Sequence, residues 1–107
     1  MKVLFLPEVE EYLVNLIEIL YQKEYFGFKE SATKYVVDLV KEITDSLPNK
    51  QKKIAPDYFS RYGKDMLYVN FKRNKQTQWY VFFTIYEKEQ VYIVRYIATN
   101  HVCSQYF

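Results

Sequence analysis

The spacing of apolar residues changes once along this chain, at Pro48, and that change constrains the fold more than any other feature. Before Pro48, apolar residues recur every three or four positions in two runs, one starting after Pro7 and one after Gly27. This spacing is typical of amphipathic helices. Pro7 suits the first turn of a helix, and Pro48 ends the second run. The first half therefore predicts two helices, and the short gap between them favours an antiparallel helical hairpin.

After Pro48 the residues follow a strand pattern. Three segments rich in β-branched and aromatic residues have the length of strands, namely residues 66–73, 78–87 and 91–98. The polar stretches between them are short, so we expect an antiparallel meander. Residues 2–6 predict a first strand that joins the edge of this sheet. Residues 50–62 are polar and basic and predict a loop or an irregular segment.

Together these elements predict an α+β fold of order β-α-α-β-β-β, in one domain spanning residues 1–107. We expect both helices to pack on one face of the sheet and the other face to be free. Strict alternation along the last strand groups Arg95 with Ile97, and Tyr96 with Val94. Neither face is plainly polar, so the alternation leaves open which face the helices cover.

Composition excludes several classes of protein. The chain is 50% hydrophobic and 20% aromatic, which argues against intrinsic disorder. Cys103 is the single cysteine, so an internal disulfide and a cysteine-based zinc cluster are excluded, and a reducing, cytoplasmic compartment is the simplest interpretation. No segment has the length of a signal peptide or a membrane span, so we expect no membrane partner. Because phosphate-binding glycine loops and metal-ligand patterns are absent, we expect no metal and no cofactor.

Charge is distributed unevenly along the chain. Residues 1–49 carry five lysines and nine acidic residues, whereas residues 50–107 carry ten basic and four acidic residues. Most of the positive excess lies in residues 50–75, which contain eight basic residues and two acidic ones. A locally basic segment in a nearly neutral protein favours an anionic partner for one face, although solvated lysines are common on any surface.

The order of elements, with several local patterns, resembles the RelE/ParE superfamily of toxins from bacterial toxin–antitoxin pairs. Residues 3–13 resemble the family's opening strand, proline and helix, and residues 63–73 its central strand. Residues 79–83 and 93–98 are similar to the two strands that follow. His101 and Tyr106 match a tail in which a histidine precedes a tyrosine by five residues. The resemblance spans essentially the whole chain.

The resemblance implies a toxin that cleaves messenger RNA on the ribosome without a metal ion. Such a reaction needs a base for the ribose 2′-OH, an acid for the leaving oxygen and cations beside the phosphorus. The candidate catalytic residues are His101, Tyr106 and Arg95; Tyr106 could exchange a proton if neighbouring cations lowered its pKa. The candidate RNA- and phosphate-binding residues are Arg61, Lys64, Lys72 and Arg73. The alternatives are that His101 is a surface residue, that Tyr106 packs the tail and that Arg95 forms a structural ion pair.

The sequence is compatible with two other functions. Tyr80 and Val102 occupy positions where many members of the superfamily have arginine. Their presence favours a non-enzymatic inhibitor that binds DNA gyrase, like the ParE branch. A degenerate, non-toxic member is the third possibility. In either toxic case the resemblance implies a cognate antitoxin, and an apolar sheet face or helix groove would suit its binding.

Overall fold

The computed structural model describes residues 2–23 and 26–107 of the chain, and these form a mixed α+β fold. An N-terminal strand is followed by two helices and then by strands that complete one sheet. The longer elements are β1 (Lys2–Phe5), α1 (Pro7–Gln22), α2 (Lys29–Ser46), β3 (Leu67–Lys72), β4 (Gln78–Tyr86) and β5 (Val91–Thr99). The shorter ones are β2 (Lys53–Ile54), α3 (Asn100–Cys103) and the 3₁₀ segments Leu47–Asn49, Asp57–Tyr62 and Ser104–Tyr106. No helix in the described parts of the chain combines the length and apolar content that crossing a membrane requires.

The start of α1 at Pro7 and the end of α2 before Pro48 agree with the sequence prediction. Pro7 is the first residue of α1, where its fixed φ suits the helix and its missing N–H costs no hydrogen bond. Buried residues recur at spacings of three and four along both helices: Val9, Leu13 and Leu16 on α1, and Ala32, Val36, Leu39 and Ile43 on α2. An ion pair joins Glu18, late in α1, to Lys29 at the start of α2. The end of α1 therefore lies close to the start of α2.

The five strands form one mixed sheet in the order β1-β5-β4-β3-β2. The three long strands β3, β4 and β5 pair antiparallel, and β1 pairs parallel to β5 at one edge. Residues 50–62 are more regular than expected, because β2 pairs with β3 and a 3₁₀ helix covers Asp57–Tyr62. A strand of two residues is too short to show an alternation of apolar and polar residues, so the sequence does not predict it. It forms because β3 offers an edge with which it can pair.

One face of the sheet packs on α1 and α2. Trp79 shows how the layers are joined, since its indole N–H donates to the Tyr35 hydroxyl on α2 at 2.9 Å. The strand residues of this core are Val69, Phe71, Trp79, Val81, Phe83, Tyr92, Val94 and Ile97. Side chains alternate regularly along β4 as far as Phe83, because Trp79, Val81 and Phe83 all face the helices.

A β-bulge in β5 makes the alternation predicted for that strand wrong. Phe83 pairs with Val94 and its neighbour Phe82 pairs with Tyr96, so Arg95 is an extra residue in the ladder. Tyr96 consequently turns away from the helices and joins the opposite face, while Ile97 joins Val94 in the helix-side core. The spacing of apolar residues does not reveal a bulge, because the residues after it still alternate and have only exchanged faces of the sheet.

The second face of the sheet is also covered, contrary to the prediction that it would be free. The buried residues of this second core are Phe59, Met66, Phe82, Ala98 and Cys103, and tyrosines 58, 62, 68, 80, 96 and 106 pack around them. Phe59, from the 3₁₀ helix Asp57–Tyr62, lies with its ring 4.2 Å from that of Phe82. The tail after α3 crosses the same face. There the centroid of the Phe107 ring lies 5.0 Å from the ring centroids of both Tyr68 and Tyr80. Segments that look like loop and tail in the sequence therefore form a third layer.

Replacement of Phe59 tests whether this third layer is a true core. Phe59 is 0% exposed, so we expect Phe59→Ala to lower the free energy of unfolding by about 3–5 kcal/mol, through lost burial and the cavity left behind. Phe107→Ala is the matched control, because that ring packs on the same layer but is 49% exposed. Urea unfolding followed by circular dichroism measures both. Equal losses in the two variants would contradict the assignment of Phe59 to a core.

Candidate functional site

Arg95 occupies the bulge in β5 and directs its side chain along the second face of the sheet. Its Nε donates to Thr84 Oγ1 at 3.0 Å and its Nη2 donates to the Tyr86 hydroxyl at 2.9 Å. Both partners are neutral, and no carboxylate of the described residues forms an ion pair with this guanidinium. Gly63 permits the packing, because a Cβ there would lie 2.6 Å from Arg95 Cδ. The positive charge of Arg95 is thus held in place without being neutralised by a direct contact.

A second arginine lies on the same face. Arg61 is exposed at the end of the 3₁₀ helix Asp57–Tyr62, where its Nε donates to the Tyr58 carbonyl at 3.2 Å. Its guanidinium lies 4.0 Å from the centroid of the Tyr58 ring, within the range of a cation–π contact. As with Arg95, the part of the chain that the structure describes supplies no carboxylate to pair with it.

Two stacked pairs of tyrosines surround Arg61. Tyr58 stacks on Tyr106 with ring centroids 3.5 Å apart, and Tyr62 stacks on Tyr96 at 4.0 Å. Each pair joins the 3₁₀ helix to a distant part of the chain, the tail in one case and β5 in the other. We call the set Tyr58, Arg61, Tyr62, Arg95, Tyr96 and Tyr106 the tyrosine–arginine site.

A groove continues from this site along β5. β1 pairs with β5 only as far as Val94, so the last part of β5 has no strand beyond it on that side. The space there is a cavity of about 480 Å³. Its walls come from the start of α1, the last part of β5, the 3₁₀ helix and α3: Leu6, Glu8, Val9, Tyr12, Arg61, Tyr62, Arg95, Tyr96, Ile97, Ala98 and Val102. We call this cavity the β5 groove.

Tyr106 lies in the tyrosine–arginine site but lacks the property predicted for proton transfer. A hydrogen bond with Tyr58 raises the pKa of Tyr106, and this outweighs the lowering effect of the nearby Arg61 charge. A tyrosine with a raised pKa stays protonated near neutral pH and is a poor base. Its packing role, considered from the sequence as the alternative, agrees with the stack on Tyr58.

His101 lies at the other end of the sheet. It belongs to α3, and its Nε2 lies 3.5 Å from Thr77 Oγ1. The neighbouring Asn100 fixes α3 to the β3–β4 turn, since its Oδ1 accepts from the Gln78 N–H at 2.9 Å. Thr77 precedes Thr84, the partner of Arg95, by seven residues along β4, which corresponds to roughly 20 Å at the rise of a strand. The structure therefore does not bring His101 and Arg95 together.

The remaining predicted phosphate-binding residues are spread over three places. Lys64 is exposed in the turn after the 3₁₀ helix, one residue from Gly63 and close to the tyrosine–arginine site. Lys72 is exposed at the end of β3 and pairs with Gln78, at the same end of the sheet as His101. Arg73 faces the helices, where its Nη1 lies 3.0 Å from Glu42 Oε2 on α2 and its guanidinium 5.7 Å from the Tyr35 ring. Residues 50–75 therefore do not form one basic surface, and Arg73 makes a structural ion pair.

Sequence reasoning did not single out the three tyrosines 58, 62 and 96. The segment Asp57–Tyr62 carried a usable signal, because two tyrosines flank an arginine within it. Tyr96 carried none, since the bulge decides which face it occupies. Cys103 is buried, and this burial raises the pKa of its thiol to about 11, so the residue is protonated and inert near neutral pH. Among the described residues, no three His, Cys, Asp or Glu side chains are grouped closely enough to hold a metal ion.

The stacked tyrosines predict a loss of stability at alkaline pH. Burial raises the pKa of Tyr96, with a further contribution from Tyr62, and the hydrogen bond with Tyr58 raises that of Tyr106. The folded chain therefore keeps protons that the unfolded chain loses near pH 10. We expect the free energy of unfolding to fall as the pH rises above about 10, and to fall less steeply in Tyr96→Phe. Urea titrations between pH 8 and 11 measure the slope, with Tyr21→Phe as an exposed control. Identical slopes in the three proteins would contradict the assignment.

The chain matches no protein-family model, no curated protein and no solved structure.

Proposed function

We propose that this chain is a RelE/ParE-type toxin that acts on messenger RNA at the ribosome and binds the RNA through its tyrosine–arginine site. The observation that carries the proposal is the pairing of Arg61 and Arg95, neither of which has a carboxylate partner among the described residues, with stacked tyrosines on one face. The order of elements, with the strand β1 beside β5, supports membership of this superfamily.

The chemistry of the site suits single-stranded RNA. A guanidinium binds a phosphate through two parallel hydrogen bonds, and Arg95 is oriented for this by Thr84 and Tyr86. Aromatic rings bind unpaired bases by stacking, with little preference for sequence, and the tyrosines of the site are half-buried rather than fully enclosed. The nearby Lys64 adds a salt-dependent attraction. RNA binding at this face therefore needs no rearrangement of the sheet.

Cleavage, in this proposal, depends on His101. The RNA chain has to run along β4 to meet both Arg95 and His101, which lie roughly 20 Å apart. At that end of the sheet, His101 would take the proton of a ribose 2′-OH or protonate the leaving 5′ oxygen, and Lys72 would supply a nearby positive charge. Tyr106 takes no part in proton transfer in this proposal, because its pKa is raised.

The second candidate is an inhibitor that binds without catalysis, such as a gyrase inhibitor of the ParE type. The separation of His101 from Arg95 favours it, because a site of binding residues alone requires no acid and base in one place. Tyr80, which stands at a family arginine position, packs under the tail against Phe107 and so adds no charge to the face.

Either candidate implies a cytoplasmic toxin held inactive by a cognate antitoxin. The shallow groove between α1 and α2 suits such a partner, because apolar side chains line it and two valines, Val14 and Val37, are exposed there. An amphipathic helix is the kind of segment that docks into a groove of this type.

Removal of the two arginines tests the proposed RNA contact. We expect Arg61→Ala/Arg95→Ala to raise the concentration needed to block translation in a purified ribosomal system by about 100-fold or more, since each charged hydrogen bond contributes about 1.5–3 kcal/mol. Lys34→Ala/Lys41→Ala is the matched control, because it removes the same charge from the exposed side of α2. Thermal unfolding checks that both variants are folded. An equal loss in both would indicate that net charge alone matters.

The variant His101→Ala separates the two candidates. A ribonuclease loses RNA cleavage in this variant, as measured by primer extension on ribosome-bound messenger RNA. Inhibition of DNA supercoiling without RNA cleavage supports the gyrase candidate instead. Expression with neither growth arrest nor inhibition in either assay would contradict both and support a non-toxic member.

A further inference from the structure

We infer that the β5 groove binds one unstacked base of the RNA, with Glu8 accepting hydrogen bonds from the base and Arg61 and Arg95 holding its phosphate. This inference rests on the proposed RNA binding and adds to it a second pocket with a base preference. The groove adjoins the tyrosine–arginine site, because Arg61, Tyr62, Arg95 and Tyr96 line both. An RNA chain on that site therefore passes the mouth of the groove.

The groove has the size and the lining that a nucleobase requires. Its volume of about 480 Å³ lies within the range of small-molecule sites. Apolar side chains make up about half of its lining: Leu6 just before α1, Val9 on α1, Ile97 and Ala98 on β5, and Val102 on α3. The flat faces of a base are apolar enough to pack on such a surface, as they do in sites that take up unstacked nucleotides.

Charged groups of both signs line the groove. Arg61 and Arg95 come from the layer that covers the second sheet face, whereas Glu8 comes from the first turn of α1. No ion pair joins Glu8 to either arginine within the described residues. The groove thus offers donors and positive charge from the layer on the second sheet face and a carboxylate acceptor from α1. A nucleotide carries the complementary groups, a phosphate and donor groups on the base edge.

Glu8 gives the groove a preference among bases. An ionised carboxylate only accepts hydrogen bonds, so it favours a base edge that presents neighbouring donors. Guanine presents N1–H and N2–H₂ side by side, which matches the two oxygens of Glu8. Uracil presents a single N–H between two carbonyl oxygens, and these repel a carboxylate. We therefore expect guanosine to be preferred over uridine in the groove.

Mononucleotide titrations followed by NMR test the inference in the full chain. We expect guanosine 5′-monophosphate to bind about tenfold more tightly than uridine 5′-monophosphate, and Glu8→Gln to remove most of this difference. N-acetyltyrosine serves as a further probe, because it has an aromatic ring and a carboxylate but no base edge. Equal affinities for the two nucleotides, or an equal affinity for N-acetyltyrosine, would overturn the inference and indicate a general pocket for aromatic anions such as a peptide side chain.

A variant in which the groove is blocked provides a second test of the inference. Val102 is 51% exposed at the groove, so Val102→Trp should fill it without disturbing a core, and we expect at least tenfold weaker binding of guanosine 5′-monophosphate. Ile19→Trp is the control, at an isoleucine that is 41% exposed on α1 and does not line the groove. Undiminished nucleotide binding by Val102→Trp overturns the inference while translation block by the wild-type chain still supports the proposed function. A wild-type chain that leaves translation unaffected overturns the proposed function, and that assay involves no mononucleotide.

Discussion

The extra residue in β5 determines how the second half of this chain is divided between its two cores. Phe82 and Phe83 are neighbours on β4, yet their partners Tyr96 and Val94 are two positions apart. Because Arg95 takes up the difference, Tyr96 moves to the face that the 3₁₀ helix and the tail cover, and Ile97 remains with the helices. Without the bulge, Tyr96 would point into the helix-side core and lose its stack on Tyr62. The tyrosine–arginine site depends on this slip of one residue.

A sheet covered on both faces explains why so many aromatic side chains occur in a chain of this size. The helices bury the face that carries Trp79 and Phe83, and the aromatic layer buries the face that carries Phe82. The second layer consists of rings rather than of a regular element. Its stability therefore depends on ring stacking and on the exclusion of water from Phe59, and its outer side remains partly exposed. A surface of this kind can pack the fold and still present ring faces to a ligand.

Arg73, just after β3, and Arg95, on β5, differ in how the layers around them treat the positive charge. Arg73 faces α2, where Glu42 neutralises it and the charge fastens β3 to the helix. Arg95 faces the aromatic layer, where its guanidinium donates hydrogen bonds to the hydroxyl groups of Thr84 and Tyr86. A partly buried cation held by neutral donors and acceptors keeps its attraction for an anion, since no direct ion pair has to be broken first. This difference makes Arg95 the stronger candidate for contact with a phosphate.

The spacing of apolar residues in the sequence was sufficient to predict the long helices and strands. The recurrence of apolar residues at three and four positions, with Pro7 and Pro48 at the limits, determined α1 and α2, and short β-rich segments determined β3, β4 and β5. These are local properties, because each depends on residues within one turn or one strand. The cover of the second face, the bulge at Arg95 and the path of the tail were decided by tertiary structure alone. Tertiary structure also decided that His101 lies far from Arg95 and that Arg61 and Arg95 line the same groove. Each depends on register and on contacts between residues far apart in the chain, which no short-range spacing encodes.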